Sequence, residues 1–179
     1  SSAASDVYKR QVLIGDGEFQ EGQIFEALQT TVHQKLNDLI VIMDHNKVQS
    51  SQYVKKIIDL LDLKKKIKSF GWHVERCDGH NFKKIDRIFT KFSKIKNKPK
   101  FLIADTIKGK GVNFMEHTNV MKSNKYYNWH AGAPSEQNFF KAQSILLKKI
   151  EFFQKKIKFN NLKISEVSKL DIKNNIEIH

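Results

Sequence analysis

The sequence predicts an α/β protein in which helices flank a parallel β-sheet, and three observations support this fold class. Four segments have the character of short strands, at residues 12–14, 39–43, 73–76 and 101–104. Segments with apolar residues at helical spacing separate these strands. Polar clusters directly follow the first two strands. Because strands that alternate with helices pair in parallel, we expect a sheet built with right-handed crossovers.

Length and composition limit the possible classes of protein. The chain has 179 residues, enough for one domain or part of one, and a formal charge of +13. Its lysines are spread among Ile, Asn and Phe without an RNA- or DNA-binding motif, which favours a compositional bias over nucleic-acid binding. The single cysteine, Cys77, excludes an intrachain disulfide and fits a reducing compartment. Without a membrane-length apolar run or a signal peptide, we expect a soluble cytoplasmic protein.

The first strand leads into the turn Gly15-Asp16-Gly17 and then into a helix. The second strand ends at the cluster Asp44-His45-Asn46. Both polar clusters therefore lie past the carboxyl ends of strands, where open α/β sheets bind their ligands. The apolar face of the intervening helix is predicted to contain Ile24, Phe25, Leu28, Val32 and Leu36.

The residue types in these clusters indicate an anion and a metal. Gly15 and Gly17 permit a tight turn and let main-chain N–H groups approach an anion, towards which the next helix directs its positive end. Asp16 and Asn46 are hard oxygen ligands on neighbouring strand ends. With a main-chain carbonyl from the loop after Asn46, they are suited to Mg²⁺, which also takes phosphate oxygens and water. The pattern predicts a metal-bridged diphosphate site.

The remaining segments are assigned in order. Residues 53–68 are predicted to form one amphipathic helix or two short ones, and residues 82–96 a helix that covers the sheet. Residues 108–134 form a long loop, and a helix starts at Ser135 and runs to about residue 158. Two end segments lie outside this pattern. Residues 1–11 are excluded from the fold as a non-native leader, and residues 159–179 are assigned to a tail or linker.

Several motifs together resemble the transketolase family. Gly15-Asp16-Gly17, followed by Asn46 within thirty residues, resembles the thiamine diphosphate motif. The resemblance spans residues 12–147 and is greatest to the amino-terminal subunit of split, two-gene transketolases. It rests on Gly15-Asp16-Gly17-Glu18, Gln20-Glu21-Gly22-Gln23, Glu26-Ala27, Asp44-His45-Asn46-Lys47, Ser69-Phe70-Gly71-Trp72, Asp78-Gly79-His80-Asn81, Lys108-Gly109-Lys110-Gly111-Val112 and Trp129-His130-Ala131-Gly132-Ala133-Pro134.

The resemblance implies a cofactor and its ligands. It implies the diphosphate-binding half of a transketolase, incomplete at its amino terminus, that binds thiamine diphosphate through Mg²⁺ or Ca²⁺. The implied metal ligands are Asp16, Asn46 and the carbonyl of Val48. Gly15, Gly17 and His130 join them in binding the cofactor, and His130 also faces the substrate channel. The implied reaction transfers a two-carbon ketol unit between sugar phosphates.

The resemblance also implies a shared active site. Glu21 and Glu26 match a carboxylate pair at the dimer interface that links two active sites; the other interpretation is two solvated carboxylates near a helix start. The glutamate that activates the aminopyrimidine belongs to a pyrimidine-binding subunit that no part of this chain matches. We therefore expect a dimer or heterotetramer with that subunit, and no activity from this chain alone.

Smaller motifs and single residues are interpreted one by one. Glu18 is assigned to the first helical turn, where it favours the helix dipole. Lys108-Gly109-Lys110-Gly111 either presents N–H groups and ammonium charge to phosphate or only permits a turn. His80 either contacts ligand or stabilises its turn, and His117 is a possible second contact. Cys77 is interpreted as a small buried apolar residue and not as a nucleophile.

Alternative functions remain open from the sequence. One is another enzyme that uses this cofactor, either 1-deoxyxylulose-5-phosphate synthase or the alpha subunit of a 2-oxo-acid dehydrogenase. The match at Gln20-Glu21-Gly22 and the match from Trp129 to Pro134 both argue against these two enzymes. A catalytically inert scaffold and a basic nucleic-acid-binding module are the alternatives from other classes.

Overall fold

A four-stranded parallel sheet forms the centre of the protein, as the sequence predicts. The computed structural model describes residues 10–157. The strands of this sheet are β1 (Arg10–Gly15), β2 (Leu39–His45), β5 (His73–Asp78) and β6 (Lys100–Asp105). Strands β1 and β2 pair with one another, and β6 lies between β2 and β5, so the order is β1-β2-β6-β5. A two-residue antiparallel hairpin, β3 (Val48–Gln49) with β4 (Gln52–Tyr53), follows β2.

Helices cover both faces of this sheet. A short 3-10 helix (Glu18–Gln20) precedes the first α-helix. The α-helices are α1 (Gly22–His33), α2 (Val54–Ile57), α3 (Leu63–Ser69), α4 (Phe82–Ser93), α5 (His117–Ser123) and α6 (Glu136–Ile157). Asp62 and Asn81 begin α3 and α4 as N-caps, because each side chain accepts a hydrogen bond from the main-chain N–H three residues later.

Alternation along the strands divides the core into two layers. On one face, Val41 and Met43 pack with residues of α1 and α3, together with the fully buried Phe19 and Phe101. On the other face, Ile40 and Leu102 pack with residues of α4. A parallel sheet requires apolar cover on both faces, which these two layers supply over its central strands. On the edge strand β1, Val12 and Leu13 remain exposed.

The strand register aligns the carboxyl ends of the sheet. Gly15 pairs with Asp44 across β1 and β2, and His45 pairs with Asp105 across β2 and β6. Asp105 in turn pairs with Asp78 across β6 and β5. The polar residues that follow β1 and β2 therefore leave the sheet at the same edge, as the sequence predicts.

Some predicted boundaries are wrong. Helix α1 ends at His33, so Leu36 lies beyond the helix with 52% of its surface exposed instead of on its apolar face. The segment 108–134 is not entirely a loop, because it contains α5. Residues 53–68 form two short helices, which was one of the two predicted alternatives. Strand β1 begins at Arg10, two residues before the predicted start.

The described residues fall into two units, 10–130 and 131–157. The second unit contains α6, which begins directly after Ser135 as predicted and carries no buried residue. The tail assigned to residues 159–179 lies outside the described residues, as do residues 1–9 of the excluded leader. Within residues 10–157, no helix has the length and apolar character needed to cross a membrane.

Candidate functional site

The glycine turn after β1 already binds an anionic oxygen. The Gly15 N–H donates to Glu18 Oε2 at 2.6 Å, so Glu18 stabilises the turn as well as occupying the first turn of the 3-10 helix. A Cβ on Gly17 would lie 3.1 Å from the Gln49 side chain, so a larger residue there requires Gln49 to shift by a few tenths of an ångström. Helix α1 starts only at Gly22, so the α-helix begins later than the sequence suggested. The N–H groups nearest the turn belong instead to the 3-10 segment.

Asp16 is the buried acidic group of this site. Only 2% of its surface is exposed, and each carboxylate oxygen has a donor. His45 Nδ1 contacts Oδ1, and the Lys47 main-chain N–H donates to Oδ2 at 2.7 Å. The Asp16 carboxylate therefore lies against the peptide bond that joins Asn46 to Lys47.

Lys47 shapes the loop that carries the predicted metal ligands. Its backbone is left-handed, with φ of 68°, a conformation uncommon for a residue with a side chain. Hydrogen bonds at both main-chain groups of Lys47 hold this conformation. Its N–H donates to the Asp16 carboxylate, and its carbonyl accepts from the Val54 N–H at 2.9 Å. Its ammonium group lies 3.4 Å from Asp105. Such strain, fixed by its surroundings, is typical of functional loops.

Asn46 and Val48 flank Lys47 in this loop. Asn46 Oδ1 accepts a hydrogen bond from the Val48 N–H at 3.0 Å. Val48 is buried, and its pairing with Tyr53 begins the β3–β4 hairpin. The structure thus brings Asp16 to the loop containing Asn46 and Val48, although the two segments are about thirty residues apart in sequence. All three residues proposed from the resemblance as metal ligands belong to this one region.

The chemistry of this region suits a hard cation and a phosphate-bearing ligand. Within residues 10–157, no three His, Cys, Asp or Glu side chains come together as a metal cluster. The predicted ligands are instead one carboxylate, one amide oxygen and one main-chain carbonyl, which are oxygen donors that Mg²⁺ accepts. Among the described residues, Gln20 Nε2 and Gln49 Oε1 are buried without a hydrogen-bond partner. Buried polar atoms need partners, so these two amides fit a region completed by a polar ligand.

Lys108 and His130 form a second polar group in the same unit. Lys108 Nζ lies 3.2 Å from His130 Nδ1 and 5.6 Å from the centre of the Tyr127 ring. Because an ammonium group has no acceptor, His130 Nδ1 accepts this hydrogen bond, and the proton of the neutral imidazole is on Nε2. His130 is exposed, so this N–H is available to a ligand.

The segment that carries Lys108 and His130 packs on the hairpin after Asn46. Val48, Val120 and Tyr127 form a small buried core with Tyr53, Met121 and Trp129 around it. The Tyr127 main-chain N–H donates to the Ser51 carbonyl at 2.8 Å, and its hydroxyl donates to the Met115 carbonyl at 2.9 Å. These contacts tie the Lys108–His130 segment to the loop that contains Val48.

Ion pairs complete the carboxyl edge of the sheet. Arg76 donates two hydrogen bonds of 2.7 Å each to the Asp105 carboxylate. Burial alone would raise the pKa of Asp105, but the Arg76 guanidinium and Lys47 hold it below its usual value. Thr106 donates to the Asp44 carboxylate. His80 accepts from the Ile107 N–H at 2.8 Å, which favours its turn-stabilising role.

The other residues singled out from sequence occupy different positions. Glu21 and Glu26 are exposed on α1 or at its start, so their role at an interface stays a prediction. His117 is 4% exposed and is held by Lys108, which favours a supporting position over direct ligand contact. Cys77 is half-buried against the second core layer, and burial raises the pKa of its thiol.

From the sequence, His45 and Lys47 were named within motifs of this region, but neither was assigned a role. His45 lies between two residues of a recognised motif, so its position could have suggested a role. Its contact with Asp16, however, joins the ends of two separate strands, which the motif does not show. Lys47 was noted only as part of the resemblance. Nothing about a lysine in the sequence indicates that its backbone will be left-handed.

Fold and site together define a ligand-binding α/β protein. Its polar groups gather at the carboxyl edge of a parallel sheet, around a glycine turn and a buried carboxylate. A family profile described as "Transketolase, thiamine diphosphate binding domain" matches residues 3–128. The chain belongs to the transketolase family.

Curated relatives support this membership. One of the subunits of the apulose-4-phosphate transketolase of Phocaeicola vulgatus is 34% identical over 148 residues, which cover 83% of this chain and 50% of that protein. The 6-deoxy-6-sulfo-D-fructose transketolase subunit SqwG of a Clostridium species is 41% identical over 104 residues, covering 58% of this chain and 38% of that protein. This chain thus spans half or less of the length of these relatives.

Solved structures show the same fold. Transketolase from Campylobacter jejuni superposes with a TM-score of 0.56 at 20% identity, covering 84% of this chain and 26% of that one. Transketolase from Pichia stipitis, in complex with sedoheptulose 7-phosphate, gives a TM-score of 0.55 at 22% identity, covering 82% of this chain and 24% of that one. The parallel sheet flanked by helices is therefore a transketolase fold.

Proposed function

We propose that this chain supplies the metal- and diphosphate-binding half of a transketolase active site. The observation that carries the proposal is the buried Asp16 carboxylate, held against the Asn46–Lys47 peptide beside the glycine turn. Burial of a carboxylate is costly unless it is paired, and a divalent cation offsets its charge. The family profile describes a thiamine diphosphate-binding domain, which supports that cofactor as the ligand.

Asp16, Asn46 and the Val48 carbonyl would hold the cation. Asp16 supplies the negative charge, while the amide and the carbonyl supply neutral oxygens. The expected ion is Mg²⁺, with Ca²⁺ as a substitute. It would neutralise negative charge on the diphosphate oxygens. No other acidic side chain is required, because the diphosphate supplies the rest of the negative charge around the cation.

Main-chain and cationic groups would bind the diphosphate itself. Gly15 and Gly17 let N–H groups of the turn approach phosphate oxygens, in the way that the Gly15 N–H now holds Glu18. Lys108 adds positive charge, and its hydrogen bond leaves His130 Nε2–H to donate towards the cofactor and substrate. His130 is the residue of this chain that we propose to meet the substrate.

The proposed reaction moves a two-carbon ketol unit from a ketose phosphate to an aldose. Bound thiamine diphosphate would supply a thiazolium carbon as the nucleophile and a thiazolium ring as the electron sink. The residues of this chain anchor the metal and the diphosphate and place a donor at the substrate. The setting we propose is cytoplasmic.

A partner protein completes the proposed active site. The curated relatives of Phocaeicola vulgatus and a Clostridium species are each named as one subunit of a transketolase. We propose that the aminopyrimidine is activated by a pyrimidine-binding subunit, in a dimer or heterotetramer. Glu21 and Glu26, exposed near the start of α1, are the residues we propose for that interface.

Reconstitution tests this function. The purified chain is mixed with Mg²⁺, thiamine diphosphate, a ketose phosphate donor and an aldose acceptor, with and without a pyrimidine-binding transketolase subunit. We expect ketol transfer only in the mixture that contains both subunits, and a lower rate for His130→Ala. Transfer by the chain alone would contradict the proposed division of the active site.

A further inference from the structure

We propose that His45 is a positioning residue, which holds the Asp16 carboxylate in the orientation that binds the divalent cation. The inference rests on the proposed function, because it takes Asp16 as the metal ligand. It concerns a residue that lies inside the Asp44-His45-Asn46 motif but supplies none of the proposed metal ligands. Its role follows from what its ring contacts.

His45 provides one of the two hydrogen bonds that fix the Asp16 carboxylate. His45 Nδ1 contacts Oδ1, while the Lys47 N–H donates to Oδ2. An ionised carboxylate only accepts hydrogen bonds, so the proton of this contact belongs to Nδ1 of His45. Each carboxylate oxygen keeps a further lone pair, which leaves Oδ1 able to bind a cation while His45 holds it.

The surroundings of His45 make this contact rigid. His45 is the last residue of β2, paired in register with Asp105, and only 8% of its surface is exposed. The strand therefore fixes the backbone of His45, and burial restricts the rotamers open to its ring. Asp16, by contrast, follows the end of β1 in a glycine turn, and its side chain depends on its two donors for orientation.

Removal of the His45 donor should weaken metal binding in particular. Asp16 would keep only the Lys47 N–H and gain rotational freedom about its carboxylate, while remaining buried. Groups that hydrogen-bond a metal ligand orient it for the ion, and their removal typically weakens metal affinity about 10- to 100-fold. If His45 only stabilised the fold, its loss would not weaken metal binding in a variant that still folds. Metal affinity therefore separates a positioning role from a purely structural one.

The chain contains a matched histidine–carboxylate pair away from the site. On β5, His73 Nε2 lies 3.0 Å from Glu75 Oε1, and both side chains are partly buried. His73 pairs with Lys100 at the amino-terminal end of the sheet, opposite the edge that carries Asp16. Substitutions at His73 therefore disturb a similar contact without touching the proposed metal site.

The experiment measures Mn²⁺ binding to the full chain by the electron paramagnetic resonance signal of free Mn²⁺, with Mg²⁺ as competitor. The variants are His45→Leu, which removes the donor, and His45→Asn, whose amide nitrogen lies where Nδ1 does. The same two substitutions at His73 serve as controls, and circular dichroism confirms that each variant is folded. We expect affinity to fall about tenfold or more in His45→Leu. Affinity should stay within about threefold of the unmodified chain in His45→Asn and in both controls.

Two kinds of result overturn the proposal and can be told apart. If Asp16→Ala abolishes Mn²⁺ binding but His45→Leu binds normally, His45 has no positioning role and the metal site stands. A loss in His45→Leu that His45→Asn fails to restore, or that His73→Leu matches, also overturns the role. If His45→Leu does not fold, a tenfold weaker affinity in His45→Asn contradicts the inference. Absent Mn²⁺ binding in the unmodified chain, or binding that survives Asp16→Ala, contradicts the metal site itself.

Discussion

Lys108 and His117, nine positions apart in the sequence, exchange two hydrogen bonds. The His117 main-chain N–H donates to the Lys108 carbonyl at 2.9 Å, and the Lys108 N–H donates to His117 Nδ1 at 3.1 Å. The second bond requires an unprotonated Nδ1. His117 is also buried and meets the edge of the Tyr53 ring, with centroids 6.2 Å apart. The lysine proposed to face the diphosphate is therefore held by a neutral histidine.

The first prediction concerns the pH dependence of stability. Burial and the nearby Lys47 lower the pKa of His117 from its ordinary value of 6.5. A histidine with a lowered pKa in the folded state takes up its proton more readily when unfolded. Its contribution to the free energy of unfolding is therefore complete above about pH 6.5 and is lost as the pH falls towards the folded-state pKa.

His117→Asn isolates this effect, because the amide oxygen replaces Nδ1 as acceptor but does not titrate. We expect His117→Asn to cost about 1 kcal/mol at pH 7.5 through lost packing. Between pH 7.5 and 5.5, the unmodified chain should lose more stability than the variant, measured by urea unfolding at each pH. Equal losses in both proteins would show that His117 is not the titrating group.

The second prediction separates two lysines of one motif. Lys108→Met removes the ammonium group that contacts His130, whereas Lys110→Met removes one whose partner is Glu116, 3.5 Å away. Charge-assisted hydrogen bonds to phosphate contribute about 1.5–3 kcal/mol, so Lys108→Met should weaken Mg²⁺–thiamine diphosphate binding about tenfold or more. Lys110→Met should change it little, by the same calorimetric titration. Equal losses of affinity in the two variants would mean that cofactor binding depends only on the overall charge of this segment.

The third prediction tests the crowding at Gly109. Its φ is +79°, and an added Cβ would lie 2.2 Å from the Met115 carbonyl oxygen. Gly132 has a similar φ of +84° with nothing within 4 Å. We expect Gly109→Ala to cost roughly 3 kcal/mol, from strain plus collision, and Gly132→Ala about 1 kcal/mol, from backbone strain alone. Thermal unfolding measures both, and similar losses would contradict the crowded packing of this segment.

Regular elements of the fold were predictable because their signals are local. The alternation of short strands with helical periodicity predicts the parallel sheet, and the two polar clusters predict its ligand-binding edge. The Gly15-Asp16-Gly17 turn was recognisable because two glycines, which permit tight turns, directly follow an apolar strand. In these cases, residues close in sequence determine the structure.

The remaining features depend on contacts between distant segments. Asp16 meets His45 only because β1 and β2 pair in register, and no local pattern shows which side chain will face the turn. Helix α5 is short and is stabilised by packing of Val120 against Val48 and Tyr127, more than by its own periodicity. The end of α1 at His33 also differs from the prediction, because the apolar spacing continues to Leu36 although the helix does not.

The most direct test of the proposed metal site is calorimetric titration of thiamine diphosphate into the full chain with Mg²⁺, for the unmodified protein and for Asp16→Ala. Asp86→Ala, an exposed position on α4, is the matched control. We predict Mg²⁺-dependent binding by the unmodified chain and by Asp86→Ala, and its loss in Asp16→Ala, because the diphosphate charge then has no anchored cation. Unchanged affinity in a folded Asp16→Ala would contradict the assignment of this site.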